Sequence, residues 1–192
     1  MNKLNHIAFI MDGNGRWGKK RDKSRNYGHL KGVEIVKKIV AKSIKLKIPV
    51  ISFYVFSSEN WKRPKNEISY LFTLIKNYFL NEIDRVTSQG IKINIIGNLN
   101  KLPKDIRKIL YKTINSTKNN KTITVNLAIN YGSKNEILNA INKTKKKTTL
   151  KKFEKNLYTK NMPDPDILIR TGGQKRLSNF MLWQLAYSEL FF

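Results

Sequence analysis

The residues whose types and spacing could do chemistry are one carboxylate, Asp12, and a small set of arginines. Of 38 basic residues, 30 are lysine and only eight are arginine. Five arginines (Arg16, Arg25, Arg63, Arg170 and Arg176) fall in three short stretches. The three tryptophans, Trp17, Trp61 and Trp183, lie in or beside these stretches, and both histidines, His6 and His29, lie in the first. Arginine presents a planar fork that matches a phosphate or carboxylate in two places, which a lysine ammonium cannot do. In a chain that uses lysine almost everywhere else, the arginines point to bidentate oxyanion contacts.

The first stretch is Asp12-Gly13-Asn14-Gly15-Arg16-Trp17, followed by Arg25 and His29. Two glycines let the backbone turn tightly and bring its N–H groups near a ligand. A strand, a glycine-rich turn and a helix together form a phosphate cradle; a plain hairpin turn is the competing reading of Asp-Gly-Asn-Gly. His29 is a candidate general base or a structural histidine. The second stretch is Ser57-Ser58-Glu59-Asn60-Trp61-Lys62-Arg63-Pro64, and the third runs from Arg170-Thr171-Gly172-Gly173-Gln174 to Arg176 and Ser178. No P-loop, no full dinucleotide fingerprint and no zinc motif is present. What remains is many phosphate-oxygen ligands and two isolated acids, Asp12 and Glu189. That inventory suits a diphosphate with a hard cation such as Mg2+, which takes one or two protein carboxylates plus phosphate oxygens.

The chain has 192 residues, enough for one domain with a real core. Its formal charge of +25 would suit nucleic acid, a membrane surface or a polyphosphate substrate. Abundant Lys, Asn and Ile give a duller explanation, drift in an A/T-rich genome. Cysteine is absent, which removes disulfides and thiolate metal sites. No run reaches the length of a membrane span and no signal-peptide pattern opens the chain, so a cytoplasmic protein is expected.

The elements must bring the three stretches together. Ile7 to Met11 and Val50 to Phe56 are apolar runs that predict buried strands, with further strands at Ile91–Ile96, Thr122–Ile129 and Ile167–Arg170. Helices are predicted after Gly32, from Glu67 to Gln89, from Pro103 to about Thr117, from Ser133 to about Lys147, from Leu150 to Lys160 and from Phe180 to Tyr187. Ser133 is the expected N-cap there, with Glu136 at N3. The alternation predicts a single α/β domain over residues 1–192, with a central, mostly parallel sheet of about six strands flanked by helices. Each candidate stretch then follows a strand, where ligands bind in parallel sheets. The apolar face of Glu67–Gln89 is wide, and packs the core or walls an apolar tunnel beside the sheet.

In order, His6-Ile-Ala-Phe-Ile-Met-Asp-Gly-Asn-Gly-Arg-Trp17, Gly28-His-x-x-Gly32, Phe56-Ser-Ser-Glu-Asn-Trp-x-Arg-Pro64 and Ile169-Arg-Thr-Gly-Gly through Arg176-x-Ser-Asn-Phe180 resemble the cis-prenyltransferases, and most of all the bacterial undecaprenyl diphosphate synthase type. The resemblance implies Mg2+-dependent condensation of isopentenyl diphosphate onto an allylic diphosphate, farnesyl diphosphate. The product is a long polyprenyl diphosphate such as undecaprenyl diphosphate, the lipid carrier of cell-wall synthesis. It implies that Asp12 and Asn60 are catalytic. Gly13, Asn14, Gly15, Arg16, Trp17, Arg25, His29, Ser57, Glu59, Trp61 and Arg63 fall to the allylic diphosphate site and the loop over it. Arg170, Arg176 and Ser178 fall to the isopentenyl diphosphate site, and Asp12 and Glu189 to the metal. The tunnel, with Val55 on its wall, holds the growing chain. A homodimer, a cytoplasmic location with transient membrane-surface contact for product release, and no nucleic-acid partner are also implied. Two features depart from the family pattern: Gln174 stands where glutamate is usual, and the chain ends at Phe192, ahead of a segment that relatives carry. Alternatives are a non-catalytic partner subunit of the same family, or a basic module for nucleic acid or membrane. A helical trans-prenyltransferase is disfavoured by the absence of Asp-Asp-x-x-Asp.

Overall fold

The computed structural model describes residues 4–144 and 149–192. Six strands form one sheet, every pairing in it parallel: β1 (His6–Ile10), β2 (Val50–Ser57), β3 (Ile91–Ile96), β4 (Ile123–Tyr131), β5 (Ile167–Arg170) and β6 (Glu189–Phe191). Their order across the sheet is β3-β4-β2-β1-β5-β6. The helices are α1 (Asn14–Lys19), α2 (Arg25–Lys45), α3 (Lys65–Ser88), α4 (Lys104–Thr117), α5 (Ser133–Lys143) and α6 (Leu150–Glu154).

The central strands are apolar on both faces because both faces are covered. Ala8, Ile51, Phe53, Phe56, Ile129 and Leu168 are at most 1% exposed. One face packs against α2, α3 and α4 through Val40, Ile68, Phe72, Phe79, Ile106 and Leu110. The other receives Phe180, Met181 and Leu185 from the C-terminal segment. A chain of buried polar groups crosses four strands: His6 Nε2 meets Ser52 Oγ at 2.7 Å, Asn126 Nδ2 donates to Ser52 Oγ at 2.9 Å, and Asn94 Nδ2 donates to Asn126 Oδ1 at 2.9 Å. Pro163 O lies 2.8 Å from His6 Nδ1, so that nitrogen carries the proton and Nε2 accepts. These bonds fix strand register, since each bridged residue must stay on one face.

Several local expectations change. Helix α1 begins directly at Asn14, after Gly13 at φ 92°. Gly28-His29-Leu30-Lys31-Gly32 lies inside α2, which Ser24 caps by accepting from Tyr27 N at 3.1 Å. The N-cap of α5 is Gly132, and the Ser133 hydroxyl instead accepts from Leu182 N at 2.9 Å. Glu136 is buried, taking the Tyr131 hydroxyl at 2.5 Å and Tyr158 N at 2.7 Å. Only Leu150–Glu154 of the expected Leu150–Lys160 helix is regular. Residues 180–187 form successive turns rather than a helix, with positive φ at Ser178 and Asn179 just before them and at Met181 within them. The expected lysine-rich end of α5 around Lys145–Lys147 lies outside the described residues.

Candidate active site

Strand order decides what meets what. β1 lies between β2 and β5, with Ile10 in register with Arg170 and Phe9 with Phe53. The three candidate stretches therefore leave three adjacent strands at the same, carboxyl, end of the sheet.

Asp12 is the hub of the first and third stretches. Its Oδ2 accepts from Arg170 Nη2 at 2.9 Å, its Oδ1 from its neighbour Gly13 N at 2.6 Å, and Arg16 Nη2 lies 3.3 Å from Oδ1. Burial pushes the Asp12 carboxyl up, but Arg170, the Gly13 amide and Arg16 outweigh it and hold the group below the usual carboxylate range. Asp12 is thus ionised near neutral pH. Thr171 Oγ1 donates to Asp12 O at 2.7 Å, and Arg16 Nη2 to Gly172 O at 3.0 Å. Gly172, at φ 90°, sits so close that a Cβ there would lie 2.9 Å from the Asp12 carbonyl group.

Arg170 has a nearly buried side chain and spreads its fork over three partners. Besides Asp12 it donates to Ser178 Oγ at 2.7 Å and to Arg176 O. Its Nε is buried without a partner. The loop 170–179 is in turn tied to the second stretch: Asn179 Nδ2 donates to Glu59 Oε1 at 2.9 Å and Tyr54 OH to Ser178 O at 3.3 Å. Asn60 accepts from Ser57 N at 3.0 Å and so shapes the start of its own loop.

A second carboxylate, Glu67 at the start of α3, gathers Arg25, Arg63 and His29. Its Oε1 accepts from Arg63 Nη1 at 3.0 Å and lies 3.3 Å from His29 Nε2; Arg25 Nε and Nη2 reach its two oxygens at 3.3 Å. Burial pushes Glu67 up, and Arg25, Arg63 and His29 together bring it below its ordinary value. Burial lowers His29, against the opposing pull of Glu67, so the ring is neutral near pH 7 and donates to Glu67. Close packing of α1 on α2 sets this geometry. Gly28 lets Asn14 O approach, Gly32 lets the Asn14 side chain approach, and the Arg25 guanidinium lies on Gly15.

All this surrounds one cavity of about 680 Å³. Asp12, Asn14, His29, Ser57, Glu59, Asn60, Arg63, Arg170, Arg176 and Ser178 line its polar end. From there it runs between the sheet and helices α2 and α3 toward the amino ends of β3 and β4, past Val55, Tyr78, Phe79, Val86, Ile91 and Val125. An apolar cavity thus lies beside the sheet, with Val55 in its lining, which is consistent with the expected tunnel.

Other candidates lie elsewhere. Gly13, Gly15, Arg16 and Arg25 surround the polar end without lining the cavity. Trp17 points out, stacked on Tyr27 with Arg21 at 4.1 Å over its ring. Trp61 packs against Phe56 and Phe72 and donates to Asn130 Oδ1 at 2.8 Å, bracing the loop from behind. Glu189 is in register with Ile167, three residues back from Arg170 and one strand further out, so it does not meet Asp12 within this chain. Among the described residues no group of three or more His, Cys, Asp or Glu could hold a metal ion. Asn179 and Glu67 belong to the site by contact. Asn179 follows Ser178 in the third stretch, and Glu67 follows Arg63 by one helical turn, the spacing of an i,i+4 pair.

A family model described as putative undecaprenyl diphosphate synthase matches residues 10–192. An isoprenyl transferase of Clostridium perfringens is 43% identical over 97% of this chain and 78% of its own length; one of Clostridium tetani is 45% identical over 97% and 77%. Among solved structures, a probable undecaprenyl diphosphate synthase of Campylobacter jejuni superposes with TM-score 0.84 at 33% identity, covering 100% of this chain and 86% of that one. Lavandulyl diphosphate synthase of Lavandula x intermedia, solved with dimethylallyl diphosphate, superposes with TM-score 0.95 at 29% identity, covering 99% and 86%. A polar cluster at three strand ends, an apolar cavity behind it and a match over nearly the whole length lead to one assignment: this chain is a prenyltransferase, a member of the undecaprenyl diphosphate synthase family of isoprenyl transferases.

Proposed function

We propose that the protein elongates an allylic diphosphate, farnesyl diphosphate, by repeated addition of isopentenyl diphosphate with cis geometry, giving a long polyprenyl diphosphate such as undecaprenyl diphosphate. The observation that carries this is a single cavity with Asp12, Arg63 and Arg170 at one end and an apolar wall at the other. A diphosphate needs the first and a lengthening hydrocarbon needs the second.

Arg16, Arg25, Arg63 and His29 hold the allylic diphosphate near Asn14 and Gly15. Arg170, Arg176 and Ser178 hold isopentenyl diphosphate, and the unpartnered Arg170 Nε has a hydrogen bond to give. The two substrates are then fixed side by side, which makes a bimolecular step nearly intramolecular. Cleavage of the allylic C–O bond leaves a carbocation and a diphosphate, and the guanidinium forks stabilise the departing charge. The C4 carbon of isopentenyl diphosphate attacks, and a proton leaves from C2. Asn60 and the isopentenyl diphosphate oxygens are the groups at hand to receive or relay it.

The donor set fits Mg2+ brought with the diphosphate better than a protein cage: Asp12 is an ionised carboxylate beside Arg170 and Arg16, and phosphate oxygens would complete the shell. Asp12 would hold the ion, which supplies positive charge to the leaving diphosphate. Glu189 lies too far along the sheet to share that role in the same chain. A homodimer, a cytoplasmic setting and brief membrane contact at product release belong to this reading. No described helix is long and apolar enough to cross a membrane.

The test is to incubate the protein with farnesyl and labelled isopentenyl diphosphates and Mg2+ and size the products. A ladder of polyprenyl products is expected from the wild type and none from Asp12→Ala, which should remain folded. DNA binding that survives Asp12→Ala, without any prenyl product, would point instead to the basic-module reading.

A further inference from the structure

Two charged side chains interrupt the apolar stripes that face each other across the cavity. On α2, Val33, Val36 and Val40 line it, and Lys37 falls on the same helical face. On α3, Leu71, Ile75, Tyr78, Phe79 and Val86 line it, and Glu82 falls between Phe79 and Val86 on the same helical face. Helical periodicity reserves both positions for apolar residues. The two side chains meet: Lys37 Nζ donates to Glu82 Oε1 at 2.5 Å, and lies 5.7 Å from the centre of the Tyr78 ring. Arg85 Nη1 approaches Glu82 Oε2 at 3.4 Å. Lys37 and Glu82 are 30% and 19% exposed, so water screens the pair only in part. A carboxylate in that setting is tolerated because its partner is there.

Among the described residues, the other contacts of this kind between α2 and α3 are at their starts, where the Arg25 guanidinium and the neutral His29 ring reach Glu67. Glu67 and Glu82 are about 22 Å apart along α3 at the usual helical rise. The helices are pinned at two points, and most of the apolar wall on α2 and α3 lies between them, with Val40 and Val86 beyond the second. The first pin belongs to the diphosphate site. The second touches no lining atom of that site and bridges the helices beside Tyr78 and Phe79, well down the apolar part of the cavity.

We propose that the Lys37–Glu82 pair is a clamp that sets how far α2 and α3 can part, and so the length of prenyl chain the cavity accepts before the product is released. The proposal rests on the elongation reading above. Lys37 and Glu82 are here specificity-determining residues that act through helix spacing, and neither is placed at the reacting atoms.

The test compares product ladders made from farnesyl and isopentenyl diphosphates by the wild type, Glu82→Gln, Lys37→Met and Lys37→Arg, with folding of each checked by circular dichroism and thermal melting. Glu82→Gln and Lys37→Met should shift the ladder to longer products, while the KM for isopentenyl diphosphate stays within about twofold of wild type. Lys37→Arg, which keeps the pair, should give the wild-type ladder. Unchanged or shorter products from the folded Glu82→Gln protein would overturn the clamp. A wild type that makes no polyprenyl product would overturn the elongation reading and the clamp with it, whereas a wild type that elongates beside variants with an unchanged ladder overturns the clamp alone.

Discussion

Arg170 Nη2 donates to Asp12 Oδ2 at 2.9 Å, joining two residues 158 positions apart in sequence. Their strands, β1 and β5, are neighbours, and Ile10 and Arg170 are in register. The pair links the two proposed diphosphate sites. Neither residue can change without altering both.

Arg170→Lys tests the fork. The guanidinium serves Asp12, Ser178 and Arg176 O together, and an ammonium cannot span all three. Losing one or two charge-assisted bonds of about 1.5–3 kcal/mol each predicts a rise in the isopentenyl diphosphate KM of at least tenfold, with a smaller change for farnesyl diphosphate. Steady-state kinetics with each substrate varied in turn checks this. Equal effects on both would mean that the site is not divided as proposed.

Glu67→Gln tests the hub that gathers Arg25, His29 and Arg63. The amide keeps the shape but loses the charge that offsets the Arg25 and Arg63 guanidiniums and accepts from His29. A loss of stability of about 1–3 kcal/mol is expected by urea unfolding. The folded-state value of Glu67 is depressed, so its contribution is present above the ordinary carboxylate range and disappears as pH falls through the lower folded value. The acid side of the stability profile should therefore flatten in Glu67→Gln.

His6 provides a second pH test. Burial lowers its folded-state value below the ordinary histidine value, against weaker opposing effects of Pro163 O and Asp166. A depressed base binds more protons when unfolded, so stability is complete above about pH 6.5 and declines as pH falls toward the lower folded value. His29 shifts the same way, and these are the two histidines of the chain. Unfolding measured between about pH 7 and pH 5 should show a shallower decline in His6→Gln than in wild type. The difference between the two slopes isolates His6.

Gly28→Ala tests the α1–α2 contact. An added Cβ would lie 1.9 Å from the Asn14 carbonyl oxygen, a backbone atom that cannot swing aside. Forcing the helices apart should destabilise the fold by about 1–3 kcal/mol. It should also move Asn14 from the cavity wall and raise the KM for the allylic substrate. Thermal melting and allylic-substrate kinetics check the two effects separately.

The candidate site was legible where rare residue types cluster at the ends of apolar runs. Asp12 and Arg63 come after strands that hydrophobicity alone marks, Arg170 ends one, and all three line the cavity. Aromatic residues carry a more ambiguous signal. Trp61 sits in the second stretch like a ligand group, yet it packs on Phe56 and Phe72, because large rings bury wherever apolar surface is available. Glu136 had the spacing of a capping residue and instead anchors Tyr131, Tyr158 and Gln184. Residues 180–187 have a helical pattern but turn repeatedly, since Phe180 and Met181 are drawn under the sheet and Ser178 and Asn179 adopt positive φ to allow it.

The amino-acid sequence by itself determined the α/β class, the strand ends at which the candidate stretches fall and their arginine-rich character, because periodicity and residue type are local properties. The tertiary structure alone decided that β1 lies between β2 and β5, that Arg170 reaches Asp12 and Glu189 does not, and that Lys37 on α2 meets Glu82 on α3. Those facts depend on strand order, register and helix packing. They arise from pairings between segments far apart in the chain, and spacing along the sequence carries no record of which distant segment becomes a neighbour.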